Sequence, residues 1–357
     1  MRRERIAPTM AVITLTTILT IGPAMNALAC GGLVAPNGTI NLLKTTTLAA
    51  YHRGVEHYVT SFEFAGEGAA EVGSIVPLPG VPTRVVKAGG WTLQRLVQEV
   101  TPPPPELESG DFAAAAASPS AQVLLEAQID ALDITVLKGG AGSIGAWARD
   151  HGFRLPPDAP EVLDFYAARS QIFLAAAFDA DAAQSRGQQI GDGTPVHITI
   201  PTDNPWVPLR ILALGKGGGE AITADVYLLT DRAPALLPAP TGSNGIRLDH
   251  SATASASLLD DLRSDRGMEW IPSGAWLTKV AVDGTAAQLG YDLAIDASGA
   301  GRPSAVDAGF TMPGAVVPHT ELDLSRLLLA LGFVGVGLVG IALIGRARPS
   351  AGRPAGW

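Results

Sequence analysis

Thr39 to Phe64 reads TINLLKTTTLAAYHRGVEHYVTSFEF. Two runs rich in Thr, Val, Tyr and Phe flank Arg53-Gly54. β-Branched and aromatic residues fit a pleated, half-buried surface. A glycine at the joint supplies the positive φ that a tight two-residue turn demands. Thr39 to Ala50 and Val55 to Phe64 are therefore expected to form a β-hairpin.

Further strands are expected on both sides of this hairpin. Val72 to Val76 is predicted to end at Pro77, because proline cannot donate to a ladder. Leu124 to Leu137, Ile172 to Phe178, Val196 to Ile200, Leu209 to Leu214, Ala224 to Leu229, Trp276 to Val282 and Tyr291 to Ile295 complete the set. Helices are fewer. Trp91 to Val100 is predicted helical and stopped by the four prolines from Pro102 to Pro105. Ser143 to His151 has a serine start and Gly152 as its stop. Asp158-Ala159-Pro160-Glu161 reads as a capping box opening a helix through Ala168. Ser257 to Arg266 runs up to Gly267. Strands dominate without regular alternation with helices, so the expected class is α+β.

An internal echo runs through this order. Tyr58 to Val85 goes strand, loop, strand, then Pro77-Leu78-Pro79-Gly80-Val81-Pro82. Ile172 to Ile211 goes strand, longer loop, strand, then Pro201-Thr202-Asp203-Asn204-Pro205-Trp206-Val207-Pro208. Two related half-domains packed together would produce such an echo.

The ends of the chain are unlike its middle. Arg2, Arg3 and Arg5 precede the uncharged run Met10 to Ile21, then Gly22-Pro23, then Ala27-Leu28-Ala29 before Cys30. That is the layout of a secretory signal cleaved between Ala29 and Cys30. Ala27 and Leu28 stand in the reverse of lipobox order, which argues against acylation of Cys30. At the other end, Leu324 to Ile344 (LSRLLLALGFVGVGLVGIALI) holds one charge, Arg326. As a helix rising about 1.5 Å per residue it matches a hydrocarbon core about 30 Å thick. Arg346, Arg348 and Arg353 follow, and a basic flank stays in the cytoplasm. The expected organisation is a signal peptide at 1–29, an exported α+β domain at 30–296 with a low-complexity loop near 101–120, a stalk at 297–323, a transmembrane helix at 324–344 and a cytoplasmic tail at 345–357. The bilayer is thus the first expected partner, through Leu324 to Ile344.

Of the formal net charge of −9, the head (Arg2, Arg3, Glu4, Arg5) carries +2. The tail carries +4 from four arginines and −2 from Glu321 and Asp323, which leaves −13 on Cys30 to Thr320. A domain this acidic repels phosphate backbones, so no nucleic-acid partner is expected. The single cysteine excludes an intramolecular disulfide and any zinc site that needs two thiolates.

Several of these stretches carry a resemblance. Cys30-Gly31-Gly32 after a signal, the paired strands, and Gly73-Ser74-Ile75-Val76-Pro77-Leu78-Pro79-Gly80-Val81-Pro82 resemble the bacterial domain-of-unknown-function 2330 family. Leu132 to Leu137 (LDITVL), Trp147 to Leu155 (WARDHGFRL) and Pro205 to Arg210 (PWVPLR) add to it, in the right order. The resemblance spans Cys30 to Gly290. It implies an exported, often membrane-anchored protein and supplies no catalytic residues. It also implies a second cysteine shortly after Cys30-Gly31-Gly32, which this chain lacks.

Chemical motifs are sparse. Gly140-Ala141-Gly142-Ser143-Ile144-Gly145 matches GxGxxG, but the acidic strand end that a dinucleotide site requires is missing. Ser143 is one residue short of a nucleophile elbow, with His151, His197 and His250 as available partners; a helix N-cap is its simpler role. His52 and His57 flank Glu56, yet five residues apart on one strand they face opposite sides. Asp179, Asp181 and Asp192 lack EF-hand spacing, and Asp260-Asp261 is expected to face water. No catalytic residue, cofactor or metal is therefore assigned. The rigid proline loops are the more promising surface, with Pro77, Pro79, Pro82, Trp206 and Pro208 as a preorganised contact; set against this is the reading of a buried Trp206 with the prolines ending strands. The expected function is a surface binding or scaffold module for a protein or cell-envelope ligand, with an exported hydrolase as the alternative.

Overall fold

The computed structural model describes residues 32–34, 45–62, 71–101, 123–185 and 193–311. Two compact units are distinguished, Met1–Pro313 and Gly314–Trp357, and every described residue belongs to the first. The signal segment, Ala29, Cys30, the stretch 102–120 and the apolar run 324–344 lie outside the described residues. Among the described residues no helix is long and apolar enough to cross a membrane.

The elements run β1 (Gly32–Val34), β2 (Thr45–His52), β3 (Val55–Phe62), β4 (Glu71–Leu78), β5 (Arg84–Lys87), α1 (Thr92–Val100), β6 (Val123–Ile129), β7 (Leu132–Lys138), α2 (Ala141–Asp150) and α3 (Ala159–Ala167). Then follow β8 (Ile172–Asp179), α4 (Ala180–Ser185), β9 (Thr194–Pro201), β10 (Trp206–Val207), β11 (Ala221–Thr230), β12 (Ala235–Leu237), β13 (Ile246–Thr253), α5 (Ala256–Ser264), β14 (Trp276–Thr285) and β15 (Leu293–Asp296). A seven-stranded sheet has the order β13-β14-β11-β2-β3-β9-β5. A five-stranded sheet has the order β1-β4-β8-β7-β6, and a small third sheet β10-β15-β12. The fold is a strand-rich α+β arrangement.

The two larger sheets face each other. Ala49, Tyr58, Ile198, Val226 and Val280 of the long sheet share one apolar core with Val76, Ile134, Val136 and Leu174 of the shorter one. The opposite pleats are covered by helices. Leu48, Ala50, Val59 and Leu229 lie under α1 and α5, and Ile75, Leu137 and Phe173 lie under α2 and α3. The result is helix, sheet, sheet, helix. Strands buried on both faces read as nearly continuous apolar runs, which is why simple alternation is weak in this sequence.

The opening hairpin forms as expected over its described residues; 39–44 and 63–64 lie outside them. β2 pairs antiparallel with β3 around Arg53 and Gly54, at φ 51° and 79°. Two positive φ values match the right-handed twist of the strands. The echoing stretches do not stand as separate halves. β3 lies in the long sheet and β4 in the shorter one; β8 and β9 take the reverse route. β3 pairs with β9, and β4 with β8, all antiparallel. Each stretch hands one strand to the sheet of the other.

Six local expectations are corrected. β4 does not end at Pro77 but runs to Leu78, with Pro77 paired to Phe173 and Leu78 to Ile172 of β8. Leu124 to Leu137 is two strands, turned at Ile129-Asp130-Ala131 with Asp130 at φ 55°. Leu209 to Leu214 is not a strand: Arg210–Ala213 form a 3₁₀ turn. Its N–H groups at Leu209 and Arg210 donate to Asp292 Oδ1, and that of Ile211 to the Tyr166 hydroxyl. The expected capping box does not close, since Asp158 accepts from Gly215 N instead, and Ser143 sits inside α2 rather than capping it. Of the stalk expected at 297–323, residues 297–311 fold back on the domain, and 312–323 lie outside the described residues. Ala308 is fully buried, its carbonyl accepts from Asp292 N, and the Asp307 carbonyl accepts from Arg169.

Candidate functional site

Three loops meet at one end of the long sheet. Gly80 lies so close to β9 that a Cβ there would sit 3.0 Å from the Pro201 carbonyl oxygen and 3.4 Å from Ile200 Cγ2. Thr83 N donates to Thr199 O at 2.9 Å, and Thr202 N donates to Gly54 O at 3.1 Å. The Tyr51 hydroxyl donates to Thr202 O at 3.0 Å. The Arg53-Gly54 turn, the Pro79-Thr83 loop and the Pro201-Asn204 loop are thus locked together. Their tips expose Arg53, Val81, Thr83, Pro201, Asp203 and Asn204. Val81 is 51% exposed at the tip of the Pro79-Thr83 loop.

The residues named from sequence as the contact surface have a different place. Pro77, Pro82, Trp206 and Pro208 are buried, and Pro79 is half-buried. The Trp206 indole stacks on Tyr166 with ring centroids 5.8 Å apart, and the Arg169 guanidinium lies 5.2 Å from its centre. These side chains form the foundation of the loops rather than their outer face. The inward Trp206 agrees with the reading of these loops as a buried tryptophan with prolines ending strands, and the exposed-contact reading is corrected.

Beneath the loops lies Glu56, fully buried between the sheets, with no side-chain partner and only the Trp206 backbone near its carboxyl. Burial pushes its pKa up to about 8, and the Trp206 backbone offsets only part of that. Glu56 is therefore protonated at neutral pH, since an uncompensated buried carboxylate is too costly.

On the other face of the same strands, His57 and His197 meet. His57 Nδ1 lies 2.9 Å from His197 Nε2, and Thr199 Oγ1 lies 3.5 Å from the same Nε2. Register explains this: β3 and β9 pair His57 with Thr199 and Val59 with His197, so all three side chains share one face. Trp270 stacks flat on His57, with centroids 3.9 Å apart and 4° between planes, and lies 5.0 Å from the His197 ring. Burial lowers the His57 pKa to about 4 and that of His197 to about 3, helped for His197 by His57 and Arg84. Both rings are neutral at physiological pH. His197 Nδ1 is buried without a partner. Sequence reasoning missed this cluster, because 140 residues separate the two histidines.

The remaining motifs resolve into structural roles. Gly140 caps α2 after β7, but β7 pairs antiparallel with β8, so no parallel βαβ unit surrounds the GxGxxG stretch. Ser143 lies near the start of α2, whereas His151 follows its end, stacked on Trp147 and bonded to the Trp147 carbonyl. His197 is engaged with His57, and His250 lies on β13. His52 does not face the opposite side from His57 as a single strand would require: it ends β2, and the pairing of Ala50 with His57 puts both histidines on one face, where His52 pairs with Asp231 at 2.5 Å. Asp179 caps α4 through Ala182 N, and Asp192 lies outside the described residues. Asp260 pairs with Arg263, and Asp261 with Arg95 at 2.8 Å. Among the described residues no group of three His, Cys, Asp or Glu is placed to hold a metal ion.

Fold and site together define a strand-rich α+β domain with interlocked proline loops and a buried histidine pair. The model of the family described as an uncharacterized protein conserved in bacteria (DUF2330) matches residues 23–236, and the chain belongs to that family. No curated protein matches the chain. Among solved structures, baculovirus P35 is similar at 8% identity and a TM-score of 0.37, over 71% of this chain and 96% of that one. The caspase-8/P35 complex is similar at 8% identity and a TM-score of 0.38, over 71% and 95%.

Proposed function

We propose that the chain is an exported binding module, held at the cell surface by one C-terminal span, which presents the interlocked loops around Val81 to a protein or cell-envelope ligand. The observation that carries this reading is the lock between Gly80 and Pro201, which fixes an exposed apolar tip at no further ordering cost on binding. The anchor rests on the apolar run Leu327 to Ile344 and the arginines behind it. The signal layout before Cys30 gives the same orientation.

A photo-crosslinking amino acid placed at Val81 of the full-length chain tests this in intact cells. Discrete adducts are expected from position 81 and not from exposed Ala300. Equal, diffuse labelling from both positions would count against a recognition tip.

A further inference from the structure

One lysine of the long sheet stands between two carboxylates in a sheltered place. Lys279 Nζ lies 3.3 Å from Asp225 Oδ1 and 3.4 Å from Asp249 Oδ2; the three side chains are 13%, 6% and 20% exposed. They come from adjacent strands, with β14 between β11 and β13. Tyr227 of β11 pairs with Lys279, and Asp225, two residues earlier, shares its face. On the other side a bulge between Leu248 and His250 leaves Asp249 as the extra residue beside Lys279. Bulges re-aim side chains in this way next to active sites. Both distances exceed the roughly 2.7–2.9 Å of a fully made charge-assisted bond. They fall instead in the range of about 3–3.5 Å from which groups react. The Tyr227 hydroxyl is buried beside the two acids without a hydrogen-bond partner. We propose that Lys279 and Asp225 condense into an intramolecular isopeptide bond, with Asp249 carrying the proton.

The step balances without a co-reactant. Nζ passes one proton to Asp225 within the ion pair, which leaves an amine beside a carboxylic acid. Nζ then attacks Asp225 Cγ. Asp249 takes a second proton from the nitrogen and returns it to the departing hydroxyl, so Asp249 ends as it began. One C–N bond forms, one C–O bond breaks and one water leaves. Shelter from solvent favours the product, because two desolvated ions become a neutral amide. The Tyr227 pKa is raised by burial and then by the charges of Asp225 and Asp249, so its hydroxyl keeps its proton. It is the nearby donor for the oxygen that gains charge during the attack. The product ties β11 to β14 and closes the chain between residues 225 and 279, restricting the unfolded state as a disulfide would. A chain with a single cysteine makes no such bond of its own.

The test uses the purified full-length chain in detergent. Its mass is measured intact after denaturation, and its tryptic peptides are sequenced by tandem mass spectrometry. The chain is expected to be lighter by one water than its sequence, counted from the observed N-terminus, and to yield a branched peptide joining residues 225 and 279. Lys279→Arg keeps the positive charge between the two acids and is expected to fold, with the full mass and no branched peptide. Asp249→Asn is expected to slow condensation by about 100-fold, read from the linked fraction against time after synthesis is stopped. Several results would each overturn the proposal. One is a folded wild-type chain of full mass. Another is a water loss that maps to a succinimide at Asp192-Gly193 or Asp283-Gly284 instead of a branched peptide. The others are a water loss retained in folded Lys279→Arg, and linkage as fast in Asp249→Asn as in the wild type.

Discussion

The Arg169 guanidinium meets the Asp292 carboxylate at 2.5 Å with both side chains sealed from solvent. The carboxylate also accepts from the Tyr166 hydroxyl and from the Leu209 and Arg210 N–H groups. Arg169 in turn donates to the Asp307 carbonyl. One buried ion pair thus ties the end of α3, the turn before the 3₁₀ segment, β15 and the returning chain at 298–311.

Removing one charge of this pair leaves the other buried and unpaired. Asp292→Asn is expected to cost about 3–5 kcal/mol. A thermal melt should show a fall in Tm of about 10 °C, given about 2–4 °C per kcal/mol in domains of this size. A shift under 2 °C would mean the pair is solvated.

Ala308 distinguishes a folded return from a free stalk. Ala308→Glu places a charge at a fully buried site and is expected to destabilise by about 3 kcal/mol or more. Exposed Ala300→Glu, a few residues away, should stay within about 0.5 kcal/mol. Denaturant unfolding of both variants makes the comparison.

Gly80→Ala tests the lock between the proline loops. Its Cβ would press on a backbone carbonyl at 3.0 Å, which has little room to retreat. A loss of about 1–3 kcal/mol is expected. Gly54→Ala would meet no atom within 4 Å, but its φ of 79° is strained for any side chain, so a smaller loss of about 1 kcal/mol is expected there.

Three buried groups shape the pH dependence. His57 and His197 have folded pKa values of about 4 and 3, below their unfolded value of 6.5. The unfolded chain binds more protons below that value, so their contribution is complete above pH 6.5 and is lost as the pH falls toward 4 and 3. Glu56 has a folded pKa of about 8 against 4.5. The folded chain binds more protons between those values, so its contribution is complete below pH 4.5 and is lost as the pH rises to 8. Between pH 4.5 and 6.5 the two histidines outweigh the one carboxyl. Together the three contribute a stability maximum near pH 6.5. Glu56→Gln is expected to stabilise at pH 8 and to be nearly neutral at pH 4.5, which urea titrations at the two pH values would read directly.

Local chemistry made part of this fold readable. Arg53-Gly54 announced its turn because only a two-residue loop with positive φ joins such runs. Gly152, at φ 74°, ended α2 where the sequence placed its stop. The failures share a different cause. Pro77 was misread because proline is excluded only where the ladder needs its N–H, and that depends on partners remote in sequence, here β8. Leu209 to Leu214 was misread because a buried apolar run fits a strand or a turn equally, and only Asp292 and Tyr166, remote in sequence, supply the turn's partners. The pairing of β3 with β9 and the facing histidines both join residues more than a hundred apart. No local pattern carries them.

The loop tip and the arginine-rich tail must lie on opposite sides of a bilayer for this account to hold. Single cysteines at Val81 and Ser350, each in a Cys30→Ser background, report their side through a membrane-impermeant maleimide added to intact cells. Labelling at position 81 alone, with position 350 reacting only after the membrane is opened, is the predicted result. Labelling of both before lysis, or of neither, would contradict it.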